Sequence, residues 1–442
     1  MIGEKKLYLE TYGCQMNFSD SEIVGAILKE NNYCLIDNVN EADLILINTC
    51  SIRENAEQRI RKRLRELKSL KKKNPELMIG ILGCMAERLK EQLLEEQKEV
   101  DLIAGPDSYR DLPNLIGSVG GGQKAANVML STEETYADIT PVKYGGNKVS
   151  AFISIMRGCE NFCAYCVVPY TRGKERSRNP KTIIQEAQDL FDNGYREITL
   201  LGQNVNSYRF DMDEKQMNFP QLLEAVAKVS PLLRVRFATS HPKDLSDELI
   251  QVMARNENIC KHIHLPAQSG SSSMLKRMNR KYSREWYLGR VNEIKKHMPE
   301  CSLTTDLIAG FCGETEDEHK ETLSLMKEVG YSAAFMFKYS MRPNTYAHKK
   351  MQDDISEEDK GKRLQEIINL QGKLSDVYNQ SFIGKTVEVL VEKKSKRSDK
   401  DLCGRNSQNI MVVFPDNGAK AGDYVKVKIE SCSPATLKGQ AI

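Results

Sequence analysis

Two sets of cysteines in this sequence have types and spacings that could do chemistry. Cys159-Glu-Asn-Phe-Cys163-Ala-Tyr-Cys166 directly follows an apolar run and Arg157-Gly158. Thiolates are the usual ligands of iron–sulfur clusters, and a four-iron cluster offers four iron corners. Three close thiolates fill three corners and leave one iron open to a substrate. A closed tetrahedral zinc site would need a fourth ligand, and the sequence places none nearby. The second set is dispersed: Cys14, Cys50 and Cys84 each end a short apolar run, as Tyr12-Gly13-Cys14, Asn48-Thr49-Cys50 and Leu82-Gly83-Cys84. In an open parallel sheet such ends face one crevice, where ligands bind. Three thiols meeting there again suggest a cluster with an open iron. Cys34, Cys260, Cys301, Cys312, Cys403 and Cys432 follow no pattern and read as structural, as buried cysteines often are.

The elements that must position these residues fall into three segments. Across residues 1–105 strands Lys6–Tyr12, Asp43–Asn48, Met78–Leu82 and Val100–Ala104 are separated by helices. One opens with a capping-box pattern at Ser19-Asp-Ser-Glu22, and others cover Glu54–Lys73 and Glu87–Glu96. This alternation predicts a parallel sheet covered by helices. The first domain is drawn at 1–125. Pro106 to Gly146 is rich in Gly and polar residues and reads as a linker with one or two short strands; the linker proper is drawn at 126–146.

Residues 147–375 repeat the alternation six times. Strands are expected at Ala151–Met156, Ile198–Leu201, Val235–Thr239, His262–Leu265, Leu303–Ile308 and Ala334–Tyr339. Helices are expected at Pro180–Asp192, Phe219–Val229, Asp244–Ala254, Ser283–His297 and Glu314–Val329. The fold class is therefore α/β, with an incomplete (β/α)6 barrel working at the carboxyl end of its strands. Residues 378–442 change to short strands, Val387–Val391, Met411–Phe414, Tyr424–Ile429 and Thr436–Gln440, split by turn signals such as Asp416-Asn-Gly418. They predict a small β-barrel.

Composition narrows the class. The 442 residues are 40% hydrophobic and 28% charged, with twelve cysteines. Two or three domains are expected at that length. No signal peptide is evident near Met1, and no apolar run nears the ~18–20 residues that span a bilayer. The expected location is the cytoplasm, where thiols stay reduced and cysteines serve metals or catalysis rather than disulfides. A net charge of +3 says little by itself. Arg59–Lys73, with Glu66 its single acid, and the basic tail beyond Lys385 are local signs of a nucleic-acid partner, against the plainer reading of a solvated helix face.

At Cys159–Cys166 the sequence resembles the radical S-adenosylmethionine (SAM) superfamily. With Cys14, Cys50 and Cys84 it resembles the methylthiotransferases over essentially the whole chain: an N-terminal cluster domain, a radical SAM core and a C-terminal TRAM domain. Thr11-Tyr-Gly-Cys-Gln-Met-Asn-Phe-Ser-Asp-Ser-Glu22, Cys166-Val-Val-Pro-Tyr-Thr-Arg-Gly-Lys-Glu-Arg-Ser-Arg178 and Leu201-Gly-Gln-Asn-Val-Asn-Ser-Tyr208 look like the MiaB-type tRNA branch, which makes 2-methylthio-N6-isopentenyladenosine. His264-Leu-Pro-Ala-Gln-Ser-Gly270 and Asp306-Leu-Ile-Ala-Gly310 fit the wider family. Cys312 stands where Pro is usual, and Asn344 where Gly is common.

The resemblance implies two [4Fe-4S] clusters and SAM. SAM would bind the open iron of the Cys159/Cys163/Cys166 cluster, and its reductive cleavage would give a radical that takes hydrogen from C2 of the adenine. The Cys14/Cys50/Cys84 cluster would hold the sulfur, and a second SAM would give the methyl group. The Tyr165 backbone would lie near the SAM adenine, and Gly202, Gln203 and Asn204 near its methionine part. Arg172, Lys174, Arg176 and Arg178 would meet either the SAM carboxylate or RNA phosphate. Lys393, Lys394, Lys396 and Arg397 would grip RNA. The implied partners are tRNA carrying isopentenyladenosine, an electron donor such as flavodoxin or ferredoxin, and a sulfur donor, with no membrane. His241, His262 and His264 fit a structural role as well as a substrate contact. Two rivals stand: a sister enzyme acting on threonylcarbamoyladenosine or on a ribosomal-protein aspartate, and a non-catalytic iron–sulfur RNA-binding protein.

Overall fold

The computed structural model describes residues 4–50, 54–121, 123–143, 147–212 and 215–442. The chain divides into two compact units. One comprises Met1–Tyr144, Met156–Phe162 and Cys166–Arg178; the other comprises Gly145–Ile155, Cys163–Tyr165 and Asn179–Ile442.

In the first unit a six-stranded parallel sheet runs in the order β2-β1-β3-β4-β5-β6. The strands are β1 Lys5–Tyr12, β2 Tyr33–Leu35, β3 Leu44–Thr49, β4 Met78–Leu82, β5 Leu102–Ala104 and β6 Ala125–Asn127. Side chains alternate between faces along a strand, and β3 shows the result. Leu44 and Leu46 join a core with Val24, Ile27 and Leu28 of helix α1 (Gln15–Glu30). Ile45 and Ile47 join a second core with Ile60, Leu64 and Leu67 of helix α2 (Glu54–Lys73). A fully buried aliphatic side chain contributes about 1.5–3 kcal/mol, so both faces hold the strand in register. That register matters for the site: Tyr12 pairs with Thr49 and Asn48 with Leu82, so the carboxyl ends of β1, β3 and β4 stop level.

Two expectations need correction here. Helix Glu87–Glu96 is two helices, Cys84–Leu89 and Glu91–Glu96, broken at Lys90, whose φ is +51°. The stretch from Pro106 to Gly146, read as a linker with one or two short strands, does hold the short edge strand β6 but also a helix that was not expected, Leu112–Gly120. Its glycines and Pro113 diluted the helical signal, yet Leu112, Leu115 and Ile116 bury one face in the core.

The second unit carries six parallel strands. Ser150–Ser154, Glu197–Leu201 and Arg234–Phe237 form one group of three, and His262–His264, Ser302–Ala309 and Ala333–Lys338 the other. A parallel bridge between Val235 and Ile259 joins the groups. This is the expected incomplete barrel. Helix Pro180–Asp192 lies where expected, with Asn179 capping the Lys181 amide. A long helix, Glu357–Gln380, crosses the point where the core was expected to end. Beyond it five strands close into a barrel around Val389, Leu402, Val412, Phe414 and Val427. Strand Ser398–Arg405 went unforeseen because it is polar and charged along half its length. The barrel is fixed to the six-stranded region: Arg236 donates to the Asn406 carbonyl (2.7 Å) and pairs with Glu197 (2.7 Å), and Tyr424 donates to the Leu232 carbonyl (3.0 Å).

Candidate metal centres and cofactor site

Cys50 follows β3 directly, and Cys14 and Cys84 follow β1 and β4 after one glycine each, so the level strand ends bring them to one edge of the sheet. Cys14 caps α1 with extended backbone, and Cys84 is the first residue of its helix. Gly13 lets the chain turn here: its φ is +129°, and a Cβ on it would sit 2.5 Å from Cβ of Cys50. Behind the thiols is a buried amide lattice. Asn17 donates to Asn48 Oδ1 (3.0 Å), and Asn48 donates to the Asn17 carbonyl (2.9 Å) and to Ser21 Oγ (3.0 Å). A hydrogen bond with Cys50, working against burial and helped by the charge of Arg172, lowers the Cys14 thiol pKa to about 6. Burial pushes the Cys84 thiol up, and Arg172 pulls it the other way.

Among the described residues no three Cys, His, Asp or Glu side chains are close enough to share one metal ion. A cluster asks for something different, since each thiolate takes its own iron corner. Three thiols at one sheet edge, one already biased toward thiolate, fit that donor set.

Around this edge lies an ion network that the sequence did not reveal. Asp20, fully buried, receives Arg157 on one carboxylate oxygen and Arg172 on the other, each at 2.8 Å. The Tyr109 hydroxyl donates to it at 3.4 Å. Asp107 receives Arg176 at 2.9 Å and faces Arg157 at 3.5 Å. The Arg157 guanidinium also stacks over the Tyr136 ring at 4.9 Å. Burial would raise the Asp20 carboxyl, but Arg157 and Arg172 outweigh it and hold its pKa below the usual range. Breaking one partner of such a buried pair costs about 3–5 kcal/mol. Arg172 and Arg176, expected at the SAM carboxylate or at phosphate, are held by these buried carboxylates instead. The residues that engage them are 152 and 69 positions away, so no local pattern could have told.

Of the second cysteine set, Cys159 and Cys166 belong to the first unit and Cys163 to the second. The Cys159 amide donates to the Gly173 carbonyl (3.1 Å), and Asn161 donates to the Cys159 sulfur (3.3 Å). Gly158 has φ +81°, and a Cβ on it would fall 1.8 Å from the Lys174 carbonyl oxygen, so only glycine fits ahead of Cys159. In the second unit Arg280 donates to the Cys163 sulfur (3.3 Å) and to the Pro266 carbonyl (2.9 Å). Sequence reading did not single out Arg280, because it meets Cys163 across 117 positions and nothing local marks it.

The carboxyl ends of the barrel strands hold polar atoms with nothing to bond. Asn204 Nδ2 donates to Asp244 (2.7 Å), but its Oδ1 is buried and unpartnered. So are both amide atoms of Asn206, Ser240 Oγ and Nε2 of His241. Buried polar groups left unsatisfied are costly, and each calls for a partner. The orphans lie on the loops after Glu197–Leu201 and Arg234–Phe237, which are tied by the Val205 amide and the Thr239 carbonyl (3.0 Å). A small polar ligand such as the amino-acid part of SAM fits this set. Gly202 is buried and Gln203 half-buried on the same loop. The Tyr165 ring meets Phe311 edge-on at 6.3 Å. Burial, then the charge of Arg280, lowers the His241 pKa to about 2, and burial with Arg236 lowers His262 to about 3, so both rings are neutral. His264 contacts Thr304 (3.0 Å) and Phe335. Cys312 is buried beside Phe311. Asn344 takes φ +71°, a conformation that Asn tolerates better than most residues, which explains its standing in for Gly.

Lys393 and Lys394 lie in strand Thr386–Ser395, while Lys396 and Arg397 form the turn to the next strand; all four are exposed. The expected basic loop is thus a basic hairpin tip. Helix α2 is less available than its charge suggests: Arg63 pairs with Glu10, Arg61 with Glu96 and Lys71 with Asp101.

A six-stranded incomplete parallel barrel with a three-cysteine loop after its first strand defines a radical SAM protein. Family models agree along the chain: Uncharacterized protein family UPF0004 matches residues 6–105, the Radical SAM superfamily 153–326 and the TRAM domain 380–442. The chain belongs to the tRNA-2-methylthio-N(6)-dimethylallyladenosine synthase family. It is 56% identical to the protein of that name from Parabacteroides distasonis over 439 residues, covering 99% of this chain and 96% of that one. It is 55% identical to the Porphyromonas gingivalis protein of that name over 442 residues, covering 99% and 95%. Among solved structures, the radical SAM methyltransferase TsrM from Kitasatospora setae superposes with a TM-score of 0.59 at 12% identity, over 78% of this chain and 75% of that one, a likeness of fold alone. Among the described residues no helix is long and apolar enough to cross a membrane.

Proposed function

We propose that the chain installs a methylthio group at C2 of N6-isopentenyladenosine next to the anticodon of tRNA, at position 37. The observation that carries this reading is the presence on one chain of two sets of three cysteines, one at the carboxyl ends of three parallel strands and one on the loop that follows the first barrel strand. The name shared by the near-full-length relatives from Parabacteroides distasonis and Porphyromonas gingivalis supports the substrate. Residues 1–125 serve as the auxiliary-cluster domain, 147–375 as the radical SAM core and 378–442 as the RNA-binding TRAM domain.

Cys159, Cys163 and Cys166 hold one [4Fe-4S] cluster, and Cys14, Cys50 and Cys84 the other. When bound, the clusters and SAM supply the radical step at an unactivated C–H bond and the sulfur, chemistry that side chains lack. The chain's own residues position and protect. Asn161 and Arg280 aim N–H donors at the Cys159 and Cys163 sulfurs. Tyr165 borders the SAM adenine, and Gly202, Gln203 and Asn204 its methionine part. The target adenine leaves its stack, which costs little in a single-stranded loop. The enzyme works in the cytoplasm, with a flavodoxin- or ferredoxin-like electron donor and a sulfur donor.

The test is mass spectrometry of tRNA nucleosides before and after reaction with anaerobically reconstituted protein. Isopentenyladenosine should be replaced by its methylthio derivative. Modification of threonylcarbamoyladenosine instead, or of a ribosomal-protein aspartate, would assign the chain to a sister activity.

The basic hairpin tip gives a second expectation. Each phosphate neutralised releases counterions and steepens the fall of log K with log salt, by about 0.9 on B-form DNA and about 0.7 on single strands. Reversing Lys393, Lys394, Lys396 and Arg397 to Glu should weaken tRNA binding and flatten that slope. SAM cleavage without RNA should be untouched, and selectivity for the modified base should persist, because phosphate contacts carry no sequence information. Titrations at several salt concentrations measure this; equal slopes would move attention to the exposed Lys62, Arg65 and Lys68 of α2.

A further inference from the structure

The buried ion network in the first unit does not balance. Two carboxylates, Asp20 and Asp107, face three guanidinium groups, Arg157, Arg172 and Arg176. The next carboxyl, Glu87, is raised by burial to about 7 and faces Lys90 at 4.0 Å. Asp107 is matched by Arg176, which takes both its oxygens at 2.9 and 3.0 Å. Asp20 is matched by Arg157, whose Nη2 also donates to the Pro106 carbonyl at 2.9 Å. Arg172 is the surplus charge. It is 3% exposed, too deep for solvent to screen. Its Nη2 is fixed by Asp20, and its Nη1 is buried with no partner. Arg172 ends the short helix Val168–Arg172, which packs against the helix that Cys84 opens, and the thiols of Cys84 and Cys14 and the Tyr109 hydroxyl lie within its electrostatic reach. An uncompensated buried cation is expensive and persists only where an anion meets it.

We propose that Arg172 is a positioning residue for the Cys14/Cys50/Cys84 centre, supplying a fixed positive charge and a free N–H to the anionic sulfur held there. Asp20 sets its place: the carboxylate orients the guanidinium, and Arg157 keeps that carboxylate ionised. The inference rests on the assignment of the three cysteines as cluster ligands made above. It goes further in naming the group that tunes the cluster. Net charge and hydrogen bonds to sulfur set the potential of such clusters. A cation beside the cluster favours the reduced, more negative state, so its loss must drive the potential down.

The experiment uses the full chain with Cys159, Cys163 and Cys166 changed to Ala, so that the second cluster is read alone. Arg172→Gln and Arg172→Lys are made in this background, reconstituted anaerobically and titrated electrochemically with EPR detection. Iron content is measured in parallel, and circular dichroism of the apo chains reports folding. Arg172→Gln should keep its iron and lower the ratio of reduced to oxidised cluster at least tenfold at a fixed potential, about 59 mV for one electron. Arg172→Lys, which keeps the charge but not the planar fork, should fall between. A folded Arg172→Gln chain that takes up no iron also supports the role, provided Arg172→Lys restores uptake. If Arg172→Gln does not fold, the potential of Arg172→Lys decides: a downward shift supports the role and an unmoved potential overturns it. Iron retained with an unmoved potential in Arg172→Gln overturns the inference alone. No iron in the parent overturns the ligand assignment and the inference with it.

Discussion

Alanine at Cys159, Cys163 and Cys166 together is expected to cut the iron of the reconstituted chain from about eight atoms to about four and to abolish SAM cleavage. The loss should be complete rather than graded, because the open iron that would receive SAM exists only while three thiolates hold the other corners. The surroundings argue the same way. Asn161 and Arg280 aim N–H donors at the Cys159 and Cys163 sulfurs, and hydrogen bonds to the sulfurs are part of what tunes a bound cluster. The fold itself should survive. The loop is anchored by Gly158 and the Cys159 amide on one side and, within the second unit, by the Ala164 amide on the Met278 carbonyl (2.9 Å). Circular dichroism should therefore match the parent, while iron analysis and methionine release after reduction separate the two proteins. Continued SAM cleavage by this variant would remove the cluster assignment.

How far the sequence carried can be judged residue by residue. Three strand ends were legible in the sequence: the runs before Cys50 and Cys84 are continuously apolar, as a parallel strand buried on both faces reads, and Lys6–Tyr12 before Cys14 alternates. Their convergence was inferable, but the level register that produces it, Tyr12 against Thr49 and Asn48 against Leu82, is a property of paired strands. Helix Pro180–Asp192 lies over the expected range, and the structure shows Asn179 capping its start with Pro180 in its first turn. What stayed hidden was long-range or diluted. Asp20 meets Arg157 and Arg172 across 137 and 152 positions. An aspartate inside a helix and two arginines flanking a cysteine loop look like surface charge until the chain is folded. Arg172 in particular stood beside Lys174 and Arg176 in a run that suggested phosphate. Its burial is decided by α1 and the sheet, not by its neighbours. The unpartnered atoms of Asn204, Asn206, Ser240 and His241 are likewise invisible in a sequence. A vacancy in hydrogen bonding is a fact about space.

Alanine at Cys14, Cys50 and Cys84 is expected to give the converse result: SAM cleavage stays measurable, and methylthiolated product disappears. The separation follows from where the residues lie. All three follow strands of the first sheet, and their contacts include Asn17, one another and Arg172. None of the orphan polar atoms proposed to receive SAM belongs to that sheet. Removing the thiols should therefore take away the sulfur carried by the auxiliary cluster without emptying the SAM site. Stability should fall modestly, since Cys50 and Cys84 are buried and each substitution trades a sulfur for a methyl in a packed site, at about 1 kcal/mol apiece. The measurement is paired. Reduced variant is incubated with SAM and isopentenyladenosine-bearing tRNA, then 5′-deoxyadenosine and modified nucleosides are quantified from the same reaction. Deoxyadenosine without methylthio product is the expected pattern. Methylthiolated tRNA from this variant would take the Cys14/Cys50/Cys84 cluster out of sulfur insertion, because no other cysteine among the described residues lies at the level ends of these strands to replace it.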